Sequence, residues 1–125
     1  MRINDIKISA NFKLYEFECH DGNHEVKVDP ELIDKMQKLR EVVAKPIKVN
    51  SGYRNQEYNK KIGGSPKSQH LLGKAADLAL PNGITIDQFA VLAEKAGFRG
   101  IGKYDWGIHV DVRETSVKWD YRNLK

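Results

Sequence analysis

Residues 100–113 read GIGKYDWGIHVDVR. Two strand-like runs, 100–104 and 107–113, are separated there by Asp105 and Trp106 alone. So tight a connection joins antiparallel neighbours, whereas parallel neighbours need a crossover of about a dozen residues or more. In the second run Ile108, Val110 and Val112 alternate with His109 and Asp111. Successive side chains of a strand point to opposite faces, so the aliphatic set takes the core face. An imidazole and a carboxylate are left on the other.

The rest of the chain divides around this hairpin. Residues 1–28 read as irregular, with CHDGNHE (19–25) as a polar loop. Asp29-Pro30 has the form of an N-cap followed by proline at the first helical position. Leu32, Ile33, Met36, Leu39 and Val43 follow at helical spacing, and Pro46 stops the helix. IKV (47–49) is expected as a short strand, NQEYNKKIGG (55–64) as a short helix closed by glycines, and AADLAL (75–80) as a second strand ended by Pro81-Asn82-Gly83. Thr85 and Gln88 form a capping-box pattern flanked by Ile84 and Phe89 at staple positions, so a helix runs to about Ala96 with Gly97 after it. SVKWDY (116–121) is expected to add an edge strand. Helices beside a small, mostly antiparallel sheet make an α+β class, and 125 residues suit one domain, 1–125.

The composition excludes several functions. No apolar run approaches the roughly 18–20 residues needed to span a bilayer, so no membrane insertion is expected. The start, MRINDIKISANF, carries charges throughout and has no apolar signal-peptide core. One cysteine, Cys19, excludes an internal disulfide framework. A formal charge of +4 attracts polyanions such as nucleic acid, anionic membrane or anionic cell wall. The lysines are scattered, without the clustered stripe or interleaved aromatics of a nucleic-acid binder.

The chemistry-bearing residues cluster in SPKSQHLLGKAADL (65–78) and in the hairpin. A catalytic zinc wants three nitrogen or oxygen ligands and one open position for water. His70, Asp77 and His109 supply two imidazoles and a carboxylate, and an ion so held makes hydroxide available near neutral pH. Gly73 allows the chain to turn after His70, and Ala75-Ala76 leave room around Asp77. Other readings stand beside this one. His109 suits a hydrogen-bonded strand residue, Asp77 suits the backbone donors at a strand end, and Cys19, His20 and His24 form a rival cluster in one loop.

At this point the residues resemble a family. SGYRN (51–55), YNKKIGGSPKSQHLLGKAADL (58–78) and GIGKYDWGIHVDVR (100–113) look like the zinc D-alanyl-D-alanine carboxypeptidases, a family that includes D-Ala-D-Ala dipeptidases and phage L-alanyl-D-glutamate endopeptidases. Its fold relatives are the lysostaphin-type peptidases and the hedgehog N-terminal domain. The pattern S-x-H-x2-G-x-A-x-D is matched by Ser68, His70, Gly73, Ala75 and Asp77, and the resemblance covers nearly the whole chain. It implies one zinc ion on His70, Asp77 and His109, with Arg54 facing the substrate carbonyl or carboxylate. A guanidinium suits both tasks. Several relatives carry an acid three residues before the last histidine, where this chain has Trp106. Asp105 is therefore the first choice for general base and Asp111 the second, with Asp111 also suited to orienting a zinc-bound histidine. Tyr53, Tyr58, Ser68 and Trp106 are candidate cleft walls.

The resemblance further implies hydrolysis of a peptide bond in peptidoglycan stem peptides, of D,D-carboxypeptidase or L,D-endopeptidase type. The expected protein is a monomer made in the cytoplasm and acting on the wall after lysis or export, as a phage or prophage lysis enzyme would. The competing expectation is a zinc-stabilised wall-binding module without catalysis.

Overall fold

The computed structural model describes residues 2–123; Met1 and residues 124–125 of the expected 1–125 domain lie outside the described residues. Helix α1 covers Pro30–Val43, α2 Gln56–Lys61 and α3 Ile86–Ala96. The strands are β1 (Val49–Ser51), β2 (Ala75–Ala79), β3 (Gly100–Tyr104), β4 (Gly107–Asp111) and β5 (Val117–Asp120). They form one sheet in the order β1-β2-β4-β3-β5, antiparallel except for the β3–β5 pair, which is parallel.

The local signals act as their chemistry dictates. Asp29 accepts a hydrogen bond from the Glu31 N–H ahead of α1, with Pro30 in the first turn. Thr85 and Gln88 close a reciprocal capping box at α3, Gln88 N–H donating to Thr85 Oγ1 at 3.1 Å and Thr85 N–H to Gln88 Oε1 at 2.9 Å. Helix α1 ends before Pro46, at Ala44, whose left-handed φ of 58° returns its N–H to the Arg40 carbonyl. The first strand lies two residues beyond its expected place, because Ile47 turns into the core while Val49 and Ser51 pair with Leu78 and Asp77.

Leu32, Met36 and Leu39 of α1 and Phe89 and Ala93 of α3 bury against Ala76 and Leu78 of β2 and Ile108 and Val110 of β4. Each of these is at most 1% exposed, and burial of such side chains is worth about 1.5–3 kcal/mol apiece. Both long helices thus cover one face of the sheet. The opposite face is left for the polar residues that alternate with the core set.

Candidate metal centre

Sheet register aligns the site. Ser51 pairs with Asp77, Asp77 with His109, His109 with Gly102, and Gly102 with Trp119, one residue from each strand. Directly paired residues share a face, so Asp77 and His109 stand side by side on the helix-free face. His70 arrives from a 3-10 turn, Gln69–Leu72, that Ser68 caps by accepting the His70 N–H and that Gly73 closes in the left-handed region.

The three expected ligands converge. His70 Nε2 lies 3.2 Å and His109 Nδ1 2.9 Å from the same oxygen, Asp77 Oδ1. Their ligand atoms all fall within 4.8 Å of one another, and among the described residues they are the one group of three His, Cys, Asp or Glu that does so. The Cys19, His20 and His24 cluster does not gather: Cys19 is buried, and His24 Nδ1 pairs with Glu18 at 3.0 Å.

The outward sides of both rings determine what the inward sides offer. His70 Nδ1 lies 2.6 Å from the Gly52 carbonyl, which only accepts, so that nitrogen is the donor and Nε2 faces Asp77. His109 Nε2 lies 2.7 Å from Asp111 Oδ2. Burial alone would push the Asp111 carboxyl up, but Arg113 and His109 outweigh it and hold the group well below the usual carboxylate range. Asp111 therefore accepts as a carboxylate, and His109 Nδ1 is left facing Asp77. Two imidazole nitrogens and a carboxylate oxygen so pointed can all act as acceptors, an arrangement that could hold a metal ion. Burial would lower the His109 pKa, yet Asp111 and Asp77 together raise it. Asp77 is likewise driven up by burial and held well below its ordinary range by His109 and His70. The donor set, one carboxylate and two neutral imidazoles each anchored by an outer hydrogen bond, fits zinc.

Around this group opens a cleft of about 540 Å³ lined by Arg54, Lys67, Tyr104, Trp106, Arg113 and Trp119 among others. Arg54 donates from Nη2 to Asp77 Oδ2 at 3.2 Å and from Nε to Ser51 Oγ at 3.2 Å, so it stands beside the metal group rather than on a solvated face. Ser68 and Trp106 line the cleft as expected, whereas Tyr53 is buried with its hydroxyl 3.4 Å from Glu25 and Tyr58 lies off the cleft.

Neither base candidate, Asp105 or Asp111, is among the residues that line the cleft. Asp111 shares the face of His109 but is fully buried behind its ring, with Arg113 donating from Nε to Oδ1 at 2.8 Å and from Nη2 to Oδ2 at 2.7 Å. Asp105 is exposed on the β3–β4 turn and accepts from the Asn123 N–H at 3.3 Å. Asp77 is the one acidic side chain lining the cleft among the described residues. Residues missed in the sequence are Tyr104, Arg113 and Trp119. Their one signal was the glycine alternation of Gly100 and Gly102: a Cβ on either would overlap the Asp111 carboxylate or the Trp119 ring.

An α+β sheet carrying two imidazoles and one carboxylate in an open cleft has the build of a mononuclear metal-dependent hydrolase. A family model described as Peptidase M15 matches residues 10–112, and the chain belongs to that family. By its description the family is one of peptidases. It is 39% identical over 67 residues to the zinc D-Ala-D-Ala carboxypeptidase of Streptomyces albus G, a match covering 53% of this chain and 25% of that protein. The chain thus aligns with about a quarter of that relative's length. The structure of the L-Ala D-Glu endopeptidase ChiX of Serratia marcescens is similar in fold, with a TM-score of 0.50 and 24% identity over 69% of this chain and 80% of that one.

Proposed function

We propose that the chain hydrolyses a peptide bond in the stem peptides of bacterial peptidoglycan, as a D,D-carboxypeptidase or an L,D-endopeptidase, with one zinc on His70, Asp77 and His109. The observation that supports the reading is the inward pointing of two imidazole nitrogens and a carboxylate oxygen, a group that could hold one metal ion. Zinc so bound supplies Lewis acidity and a water of lowered pKa.

The chain's own residues do the rest. Gly52 and Asp111 fix the two imidazoles in the tautomers that expose a lone pair. Arg54 is held by Ser51 at Nε, Asn59 at Nη1 and Asp77 at Nη2, and the second N–H on each Nη remains to hold a substrate carboxylate or a developing oxyanion. Lys67 and Arg113 add positive charge to the wall, which suits a peptide ending in carboxylate. Tyr104, Trp106 and Trp119 add aromatic surface to the same cleft.

The proton of the attacking water needs an acceptor that later serves the leaving amine. Of the two acidic candidates, Asp111 is occupied by Arg113 and His109. Asp105 is exposed between two cleft residues, Tyr104 and Trp106, and its contact with Asn123 is a single 3.3 Å hydrogen bond. We assign the role to Asp105, reached by a swing of the side chain away from the tail. The chain acts on the cell wall, as a monomer and in the setting of a lysis enzyme.

Mass spectrometry of muropeptides incubated with the zinc-loaded protein tests this reading and identifies the bond. Loss of a terminal D-Ala or a cut within the stem is expected. An unchanged muropeptide profile overturns it.

A further inference from the structure

The family match ends at residue 112, yet Trp119 on β5 stands in the cleft. Its route is the cross-sheet row. Gly102 separates Trp119 from His109 and has no side chain, so the indole lies over it and reaches the imidazole, with ring centroids 5.1 Å apart at 41°. The indole Nε1–H donates to the Tyr104 hydroxyl at 2.9 Å.

That bond has a consequence for the phenol. An indole nitrogen only donates, so the Tyr104 oxygen is the acceptor and its own proton must go elsewhere. Among the described residues it has no protein acceptor, and Tyr104 lines the cleft together with Arg54, His70 and Asp77. The ring itself is clamped, stacked on Trp106 at 4.8 Å and 17° and met edge-on by Tyr121 at 5.7 Å. Arg113 in turn lies over the Trp119 ring at 5.4 Å. A held phenol whose proton has no partner among the described residues is a donor prepared for a ligand oxygen.

We propose that the Tyr104 hydroxyl donates a hydrogen bond to a carbonyl or carboxylate oxygen of the bound peptide, and that Trp119 is the positioning residue that aims it. The inference rests on the peptide substrate proposed above. It makes β5, outside the segment that defines the family match, part of the substrate site.

The test is a double-mutant cycle of Tyr104→Phe and Trp119→Phe, both of which keep a ring in place. Stem-peptide turnover is measured on the zinc-loaded chain, and affinity for the same peptide is measured by calorimetry on the metal-free chain. Tyr104→Phe should lower kcat/KM about 10- to 100-fold at unchanged zinc content, in line with loss of one hydrogen bond to a charged oxygen. Trp119→Phe should lower kcat/KM less, about 3- to 10-fold, and the double variant should match Tyr104→Phe alone because one interaction is removed once. Wild-type kinetics in Tyr104→Phe, or losses that multiply in the double variant, overturn the proposal. Should the wild type release no product, the peptidase reading fails, and the metal-free affinities still decide this one. A several-fold weaker peptide affinity in Tyr104→Phe supports it; equal affinities, or no binding by the wild type, overturn it.

Discussion

Asp111→Asn is the sharpest probe of how the metal group is held. Four donors converge on the Asp111 carboxylate: Arg113 N and Nε on Oδ1 at 3.2 and 2.8 Å, and Arg113 Nη2 and His109 Nε2 on Oδ2, both at 2.7 Å. An amide has one acceptor oxygen and one donor nitrogen. With its nitrogen at the Oδ1 position it meets two obligate donors of Arg113. With its nitrogen at the Oδ2 position it meets Arg113 Nη2, and His109 can accommodate it only by moving its proton to Nδ1, the nitrogen that faces Asp77.

Breaking a buried ion pair by removing one partner costs about 3–5 kcal/mol. Arg113 keeps 27% of its side chain exposed and can recover some hydration, so the low end, about 3 kcal/mol, applies. For a domain of this size that is a fall in Tm of about 10 °C. Loss of a residue that orients a metal ligand weakens metal affinity about 10- to 100-fold. Thermal melts of the metal-free variant, with zinc affinity from chelator competition, read both quantities. A variant with wild-type Tm and zinc affinity but little turnover would refute the reasoning, because Asp111 would then act as a base and not as the anchor of His109.

Further outcomes follow from the same geometry. Asp105→Asn should retain one zinc and wild-type Tm while losing most of the stem-peptide turnover; full turnover removes Asp105 from the mechanism. Gly102→Ala places a methyl group against the Trp119 ring and should destabilise by about 1–3 kcal/mol, with a changed near-ultraviolet circular dichroism from the displaced indole; an unaltered spectrum and melt would contradict the packing. Zinc competes with the proton on His109, whose pKa Asp111 and Asp77 raise above the ordinary histidine value, so zinc affinity should fall as pH drops from 8 towards 5. A flat affinity over that interval would exclude histidine ligation.

Much of this was readable from the chain because it is written in local chemistry. Asp29-Pro30, the Thr85–Gln88 box and the tight hairpin connection each act within a few residues, and each forms where its pattern stands. The proposed metal group was legible through its family-like motifs, and the pairing of the strands now gives the physical reason for two of its members. Strand alternation put Ala76 and Leu78 in the core with Ile108 and Val110, which sends Asp77 and His109 to the same opposite face once β2 and β4 pair. What local pattern did not carry is order across the sheet. Nothing in SVKWDY says that β5 runs parallel to β3, so the approach of Trp119 to His109 was invisible, although the gap at Gly102 is its imprint. Parity likewise placed Asp111 on the cleft face but could not say that Arg113 and His109 enclose it. Asp105 shows the limit at a turn, where side-chain direction follows backbone geometry and not alternation.

The central claim is that three side chains from separate parts of the chain grip one ion. Diffraction from zinc-loaded crystals, recorded on both sides of the zinc absorption edge, tests it most directly. One anomalous peak is expected within about 2.0–2.2 Å of His70 Nε2, His109 Nδ1 and an Asp77 oxygen, with the Gly52 and Asp111 hydrogen bonds intact behind the rings. Full-occupancy zinc at any other place on the chain, with this cleft empty, would contradict the account.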